Sequence, residues 1–159
     1  MLIALTACAS FREPPALTFV VVRHAEKATD DPRDPSLTAA GEARAQRIAE
    51  SLESAPVVAV YSTAYRRTQQ TAAPTAQAHA VPVTTYDTQA SAEIFAALLR
   101  KNHRDGHVLV VAHSNTAPAI ASALCACDVE PMPETEYDRR MTVHVPPEGP
   151  VILITASMQ

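Results

Sequence analysis

Two histidines in this sequence each follow an apolar segment that is typical of a buried strand. His24, together with Arg23, comes directly after the run LTFVVV, and His113 comes directly after the run HVLVVA. A third apolar run, PVVAVY, is followed within one helical turn by Arg66 and Arg67. A buried strand has no structural need of these residue types at its end. They are therefore candidates for a binding or catalytic site.

This combination of side chains suits the binding and transfer of a phosphoryl group. The transferred group carries its charge on three oxygens, and its transfer depends mainly on positioning and electrostatic stabilisation. Arginine donates two parallel hydrogen bonds to phosphate oxygens, which is the role we predict for Arg23 and Arg67. Neighbouring arginines disfavour a charged imidazolium, so one histidine stays neutral and can attack phosphorus. The other histidine would help to hold the phosphoryl oxygens.

Alternating strand-like and helix-like segments position these residues. Four segments are predicted as strands from their apolar composition: 17–22, 56–61, 82–87 and 107–112. Four segments with helical spacing lie between or after them: 38–54, 64–80, 91–103 and 115–124. Two further strands are predicted near the C-terminus, in TVHV and VILIT. This alternation predicts an α/β fold, a three-layer α/β/α sandwich with a mostly parallel central sheet.

The predicted sheet brings further polar residues to the same edge. In open α/β sheets, ligands bind beyond the carboxyl ends of the strands. Asp87 stands at the end of the third predicted strand, and Ser114 and Asn115 follow the fourth. We therefore expect all three to lie near the two histidines, with Ser114 and Asn115 contacting the substrate.

Composition excludes some classes of function. The chain has 159 residues, 47% of them hydrophobic, and a net charge of −4, which indicates one globular domain. It has no basic block, so no nucleic-acid partner is expected. His103 and His107 have a spacing seen in metal sites, but Gly106 between them breaks the helix that this spacing requires. No metal site is predicted.

Four motifs, in order, resemble those of the histidine phosphatase superfamily, also called phosphoglycerate mutase-like. RHAE at 23–26 resembles the family's RHGE, and LTAAG at 37–41 resembles its LTxxG helix start. YST at 61–63, followed by RTQQTA at 67–72, resembles its YSS and RAxQTA segment. VVAHSN at 110–115 resembles its VVxHGG, with serine and asparagine in place of the glycines.

The resemblance implies a phosphoglycerate mutase-like fold and a role for each matching residue. His24 would be the nucleophile that is phosphorylated. The phosphate pocket would be completed by three residues: Arg23, Arg67 and His113. The family also uses a carboxylate that donates a proton to the leaving group. Asp87 is the candidate for this role, with Glu93 as the alternative.

The function implied is hydrolysis of phosphate monoesters through a phosphohistidine on His24, without a metal ion or an organic cofactor. Mutases of the family carry larger insertions than this chain has between its motifs, which favours a hydrolase over a phosphoglycerate mutase-type phosphotransferase. A non-catalytic phosphate-binding envelope protein is the other alternative. The expected partner is a small phosphorylated substrate or a phosphoprotein.

The first residues carry a separate signal. MLIALTACAS is a short apolar run whose LTAC resembles the end of a bacterial lipoprotein signal, in which the cysteine is lipidated. We therefore interpret residues 1–16 as the end of such a signal with a linker, and 17–159 as the histidine phosphatase domain. Lipid on Cys8 would anchor the domain to a membrane, on the periplasmic side of the cell envelope. Without such a signal, the expected location is the cytoplasm.

Three further residues have two interpretations each. Cys125 and Cys127 either form a disulfide or are small residues buried near a helix end, and the sequence favours the second. Lys27 either contacts the substrate or is a solvated loop charge, and the second is again favoured.

Overall fold

The computed structural model describes residues 16–158, so the interpretation of the segment around Cys8 lies outside the described residues. In chain order the elements are β1 (Leu17–Arg23), α1 (Ala39–Ser51), β2 (Val57–Ser62), α2 (Arg66–Ala78), β3 (Val83–Thr85), α3 (Ala92–Asn102), β4 (Gly106–Ala112), α4 (Ala117–Cys125), β5 (Arg139–Val145) and β6 (Ile152–Ser157). Each predicted strand and helix is present. None of the helices in residues 16–158 is long and apolar enough to cross a bilayer.

One six-stranded sheet forms the middle layer, in the order β3-β2-β4-β1-β5-β6. The first four of these strands run parallel to one another, and β5 and β6 are antiparallel to their neighbours. Arg23 pairs in register with Ala112, so β1 and β4 end side by side. The prediction of a mostly parallel α/β/α sandwich is therefore confirmed.

Hydrophobic side chains pack on both faces of the sheet. One core cluster contains residues of α3 and α4, and a second contains residues of α1 and α2. All seven residues of β1 are buried, because this central strand is covered on both faces. The unbroken apolar run LTFVVV is the sequence signature of that position.

The third strand is shorter than predicted. β3 ends at Thr85, and the chain then turns before α3. Asp87 therefore lies beyond the strand, where its carboxylate accepts a hydrogen bond from the backbone N–H of Gln89, at 2.8 Å. An aspartate in such a turn satisfies the local backbone. Asp87 therefore does not stand at the end of a strand, although the sequence predicts that position.

Cys125 and Cys127 form a disulfide, so the interpretation favoured from the sequence is wrong. Cys125 is the last residue of α4 and is buried, whereas Cys127 is exposed. Ala126 between them has a left-handed backbone, with a φ of 52°. This reversal of the chain brings the two sulfur atoms together at the start of the loop that leads to β5.

Candidate active site

A cavity of about 490 Å³ lies at the carboxyl edge of the sheet. Its lining residues are Arg23, His24, Lys27, Tyr65, Arg67, Thr88, His113, Ser114, Asn115, Thr116 and Glu134. The two histidines, both arginines and the serine–asparagine pair that the sequence singled out are thus brought together. Lys27, although exposed, also lines this cavity.

His24 is held as a neutral ring with one nitrogen free. Its Nδ1 lies 2.8 Å from the backbone oxygen of Ala25. Because a carbonyl oxygen only accepts, Nδ1 carries the proton and Nε2 keeps a lone pair. Burial lowers the pKa of His24 to about 4. The hydrogen bond to Ala25 raises this pKa, whereas repulsion from the neighbouring His113, Arg23 and Arg67 lowers it further. At neutral pH this ring is therefore uncharged and has a lone pair with which it can act as a nucleophile.

Polar side chains of α2 fix the loop that follows His24. The hydroxyl of Thr71 accepts a hydrogen bond from the backbone N–H of Ala25, at 3.0 Å. The side-chain oxygen of Gln70 accepts from the N–H of Leu37, at 2.8 Å. The motif RTQQTA therefore supports the catalytic loop through its glutamine and threonine, in addition to supplying Arg67.

The start of α1 packs directly against the same loop. Thr38 caps this helix by accepting a hydrogen bond from the N–H of Gly41. A Cβ atom at Gly41 would stand 2.4 Å from the backbone oxygen of Glu26, which explains the glycine of LTAAG. The carboxylate of Glu26 in turn accepts hydrogen bonds from the guanidinium of Arg44, at 2.7 to 3.0 Å. Glu26 thus ties the loop to α1.

Arg67 and His113 are positioned by an aromatic side chain that the sequence did not indicate. The guanidinium carbon of Arg67 lies 4.3 Å from the ring centroid of Tyr65, a cation–π contact. The Tyr65 ring meets the ring of His113 edge to face, with centroids 5.4 Å apart. Nε2 of His113 also lies 3.1 Å from the hydroxyl oxygen of Thr63.

His113 is also neutral at physiological pH. Burial lowers its pKa to about 4, and the charges of Arg67 and Arg23 act in the same direction. The carboxylate of Glu134 opposes them. Two uncharged rings therefore face a pocket whose remaining charge comes mainly from arginine, which favours an anionic ligand.

Arg23 is anchored by the loop that connects α4 to β5. Its Nη1 donates to the backbone oxygens of Glu134, at 2.7 Å, and Glu136, at 2.9 Å. Its Nη2 donates to the side-chain oxygen Oε2 of Glu134, at 2.8 Å. The guanidinium carbon also lies 4.0 Å from the ring centroid of Tyr137. Nothing in the sequence pattern of this loop indicates these contacts.

Glu134 is the only carboxylate among the described residues that line the cavity. Its Oε1 accepts a hydrogen bond from the hydroxyl of Ser114. This hydrogen bond lowers the pKa of Glu134, and the charges of Arg23 and Lys27 lower it further. The side chain is therefore ionised at neutral pH.

Neither of the two proton donors considered from the sequence lines this cavity. Asp87 lines a separate cavity together with Tyr61 and residues of α3. Glu93 lies in the first turn of α3, where a hydrogen bond with Ser91 lowers the pKa of its carboxyl group. Between β3 and α3, Thr88 reaches the cavity instead. The assignment of either carboxylate as proton donor stays a prediction.

Metal-ligating residues are not clustered in the described part of the chain. No group of three or more histidine, cysteine, aspartate or glutamate side chains there is arranged to hold a metal ion. His103, considered for such a role from its spacing, instead has its Nε2 2.9 Å from the hydroxyl oxygen of Tyr61.

Comparison with known families agrees with this geometry. The model of the histidine phosphatase superfamily (branch 1) matches residues 19–89, which contain RHAE, LTAAG, YST and RTQQTA. This part of the chain is therefore similar to the histidine phosphatase superfamily. The fourth motif, around His113, lies outside the matched range, and the fold brings His113 to the same cavity as His24. No curated protein sequence matches the chain.

Solved structures of several phosphatases share the fold of this chain. The protein histidine phosphatase SixA, complexed with tungstate, superposes with a TM-score of 0.67 at 19% identity, covering 88% of this chain and 96% of that one. Phosphoserine phosphatase from Entamoeba histolytica gives 0.67 at 15% identity, covering 90% and 98%. A mycobacterial glucosyl-3-phosphoglycerate phosphatase gives 0.66 at 16% identity, covering 91% and 100%.

Proposed function

We propose that this protein is a phosphatase that hydrolyses phosphate monoesters through a phosphohistidine on His24. The observation that carries the proposal is the free Nε2 of a neutral, buried His24 in a cavity that also holds Arg67 and His113. The match of residues 19–89 to the histidine phosphatase superfamily and the fold shared with known phosphatases support the same reaction class.

The reaction follows from the tautomer of His24. Nε2 attacks phosphorus, the N–P bond forms, and the P–O bond to the leaving alcohol breaks. The ring becomes cationic, and the hydrogen bond from Nδ1 to the backbone oxygen of Ala25 stabilises that charge. The leaving oxygen takes up a proton, and water then hydrolyses the N–P bond to release inorganic phosphate and restore the neutral ring.

The phosphoryl oxygens would be held by Arg67, His113 and the backbone and side chains that follow His113. Nε of Arg67 is buried and has no hydrogen-bond partner among the described residues. An unpaired buried donor costs free energy, which an anion in the cavity would recover. Arg67 is therefore the strongest candidate for the principal phosphate ligand.

Turnover of a chromogenic phosphate ester, with product phosphate measured independently, tests this proposal. The wild-type protein should be active in the presence of a chelator and inhibited by vanadate. His24→Ala should lose turnover while keeping its circular dichroism spectrum, and acid-labile phosphate should appear on the wild-type chain after rapid quenching. A fully active His24→Ala variant would show that another residue is the nucleophile, and no turnover on any ester would favour the phosphate-binding alternative.

We also propose that the protein is anchored through a lipid on Cys8, at the periplasmic side of the cell envelope. Two observations support this: the LTAC sequence, and the disulfide between Cys125 and Cys127, because disulfides persist outside the reducing cytoplasm. Intact-mass analysis and membrane fractionation of the wild type and of Cys8→Ser test the proposal. A wild-type chain that carries no lipid and stays in the soluble fraction would contradict it.

A further inference from the structure

The carboxylate of Glu134 occupies a position in the cavity that suits an oxygen of a bound phosphate group. One oxygen accepts from Nη2 of Arg23, at 2.8 Å, and the other accepts from the hydroxyl of Ser114. Both donors line the same cavity as His24 and Arg67. Two hydrogen-bond donors that could bind a substrate anion, Arg23 and Ser114, therefore already bind the carboxylate of Glu134.

Glu134 and Arg23 differ sharply in exposure. The side chain of Arg23 is 2% exposed, whereas that of Glu134 is 78% exposed. The guanidinium is fixed in the protein, but the carboxylate reaches it from the solvent side. An ion pair with one highly exposed partner is weak, so Glu134 can leave Arg23 at a small cost in free energy.

The backbone contacts of Arg23 do not depend on this carboxylate. Nη1 donates to the backbone oxygens of Glu134 and Glu136 whatever the position of the Glu134 side chain. The ring of Tyr137 also stays against the guanidinium. Movement of the carboxylate would thus free Nη2 without releasing the arginine from its site.

We propose that Glu134 is an internal competitor for phosphate, which leaves Arg23 and Ser114 when the phosphate group of the substrate binds. A dianionic phosphate and the ionised carboxylate repel each other and require the same donors. Lys27 lines the cavity as well and offers the displaced carboxylate another cation. Glu134 would therefore weaken the binding of phosphate and speed the release of the inorganic phosphate product.

This inference rests on the proposed function only in requiring that the cavity binds phosphate, so it can be tested without turnover. The full-length chain is titrated with inorganic phosphate and with tungstate by calorimetry at low salt. Glu134→Gln keeps a side chain of the same shape but removes the charge. It should bind both anions about two- to fivefold more tightly than the wild type, as expected for loss of an exposed ion pair.

A matched control separates this effect from the change in net charge. Glu130 lies in the same loop, but its side chain lines neither the cavity nor the site of Arg23. Glu130→Gln should bind the anions as the wild type does. An equal gain in Glu130→Gln would assign the effect to net charge and overturn the inference.

The remaining outcomes are also distinct. Unchanged or weaker anion binding by Glu134→Gln would overturn the inference, because the carboxylate would then have no effect on anion affinity or would increase it. A wild type that binds neither anion would overturn it together with the phosphate site. A wild type that binds anions without hydrolysing esters would contradict the proposed function alone. A kcat of Glu134→Gln lowered about a hundredfold with unchanged anion affinity would instead assign Glu134 to proton transfer.

Discussion

The ring centroids of His24 and His113 lie 5.3 Å apart, and the two rings meet edge to face at 68°. This contact arises because β1 and β4 are neighbours whose last residues, Arg23 and Ala112, are in register. Two histidines this close repel each other when both are charged. Their mutual placement therefore helps to keep both rings neutral, as the proposed roles of nucleophile and phosphate ligand require.

Replacement of Arg67 should impair the enzyme much more than replacement of its neighbour. Arg67 lines the cavity, whereas Arg66 points to solvent, where its side chain is 51% exposed and lies 3.8 Å from Asp30. We expect Arg67→Ala to lower kcat/KM about a hundredfold or more, because a principal phosphate donor is lost, and Arg66→Ala to lower it less than about threefold. Steady-state kinetics on one ester compares them, and equal losses would refute the assignment.

The activity should persist in acid to lower pH than for an ordinary histidine nucleophile. Burial lowers the pKa of His24 to about 4, so the ring keeps its lone pair well below pH 6.5. NMR titration of the imidazole signals should show that the rings of His24 and His113 remain uncharged at pH 5.5. Comparison with His24→Asn assigns the signals, and a His24 midpoint near 6.5 would contradict the prediction.

The same two rings should make the fold less stable in acid. Their folded-state pKa values lie below the unfolded value of 6.5, so the unfolded chain binds more protons between pH 6.5 and about 4. The contribution of the rings is complete above pH 6.5 and is lost as the pH falls through this range. We expect them to contribute on the order of 1–2 kcal/mol to the decrease, after allowance for solvent screening and for the partial exposure of His113.

Urea denaturation at pH 7.0, 5.5 and 4.5 measures this decrease in the free energy of unfolding. The acid loss should be smaller in His24→Asn, which keeps only one of the two rings. An identical loss in the wild type and the variant would mean that His24 titrates normally in the folded state.

Asp87→Asn should retain most of the activity. The carboxylate of Asp87 accepts from the N–H of Gln89 outside the cavity, and this position does not suit a proton donor to a substrate at His24. We expect kcat to change less than about threefold, even on an alkyl ester whose leaving group needs a proton. A loss of a hundredfold or more on the alkyl ester, but not on a nitrophenyl ester, would establish Asp87 as the donor after movement of its loop.

Gly41→Ala should destabilise the fold although alanine is the better helix former. A Cβ atom at this position would stand 2.4 Å from the backbone oxygen of Glu26, a clash that outweighs the gain in helix propensity. We expect a loss of about 1–3 kcal/mol in the free energy of unfolding, as for other overpacked sites. Ala43→Gly, at an exposed position of α1, is the control and should cost about 1 kcal/mol from propensity alone. A stabilised Gly41→Ala variant would contradict the close packing of α1 on the catalytic loop.

Much of the site was predictable from the sequence because its residues are tied to regular elements. Unbroken apolar runs identify buried parallel strands, and such strands share one carboxyl edge. His24 and His113 follow two of these strands directly, so the strand assignments alone were enough to predict that the two side chains lie close together. The same reasoning placed Asp87 at the end of the third strand, whereas the chain leaves β3 two residues earlier than its composition suggests.

The sequence alone therefore determined the α/β sandwich and the meeting of the two histidines with their arginines, since hydrophobic periodicity encodes which residues stand at strand ends. Only the tertiary structure decided the partners of Arg23, the placement of Glu134 and the disulfide of Cys125 with Cys127. These depend on how the irregular loop between α4 and β5 folds back over the edge of the sheet. A loop held by backbone oxygens and single side chains leaves no periodic pattern in the sequence from which its path can be read.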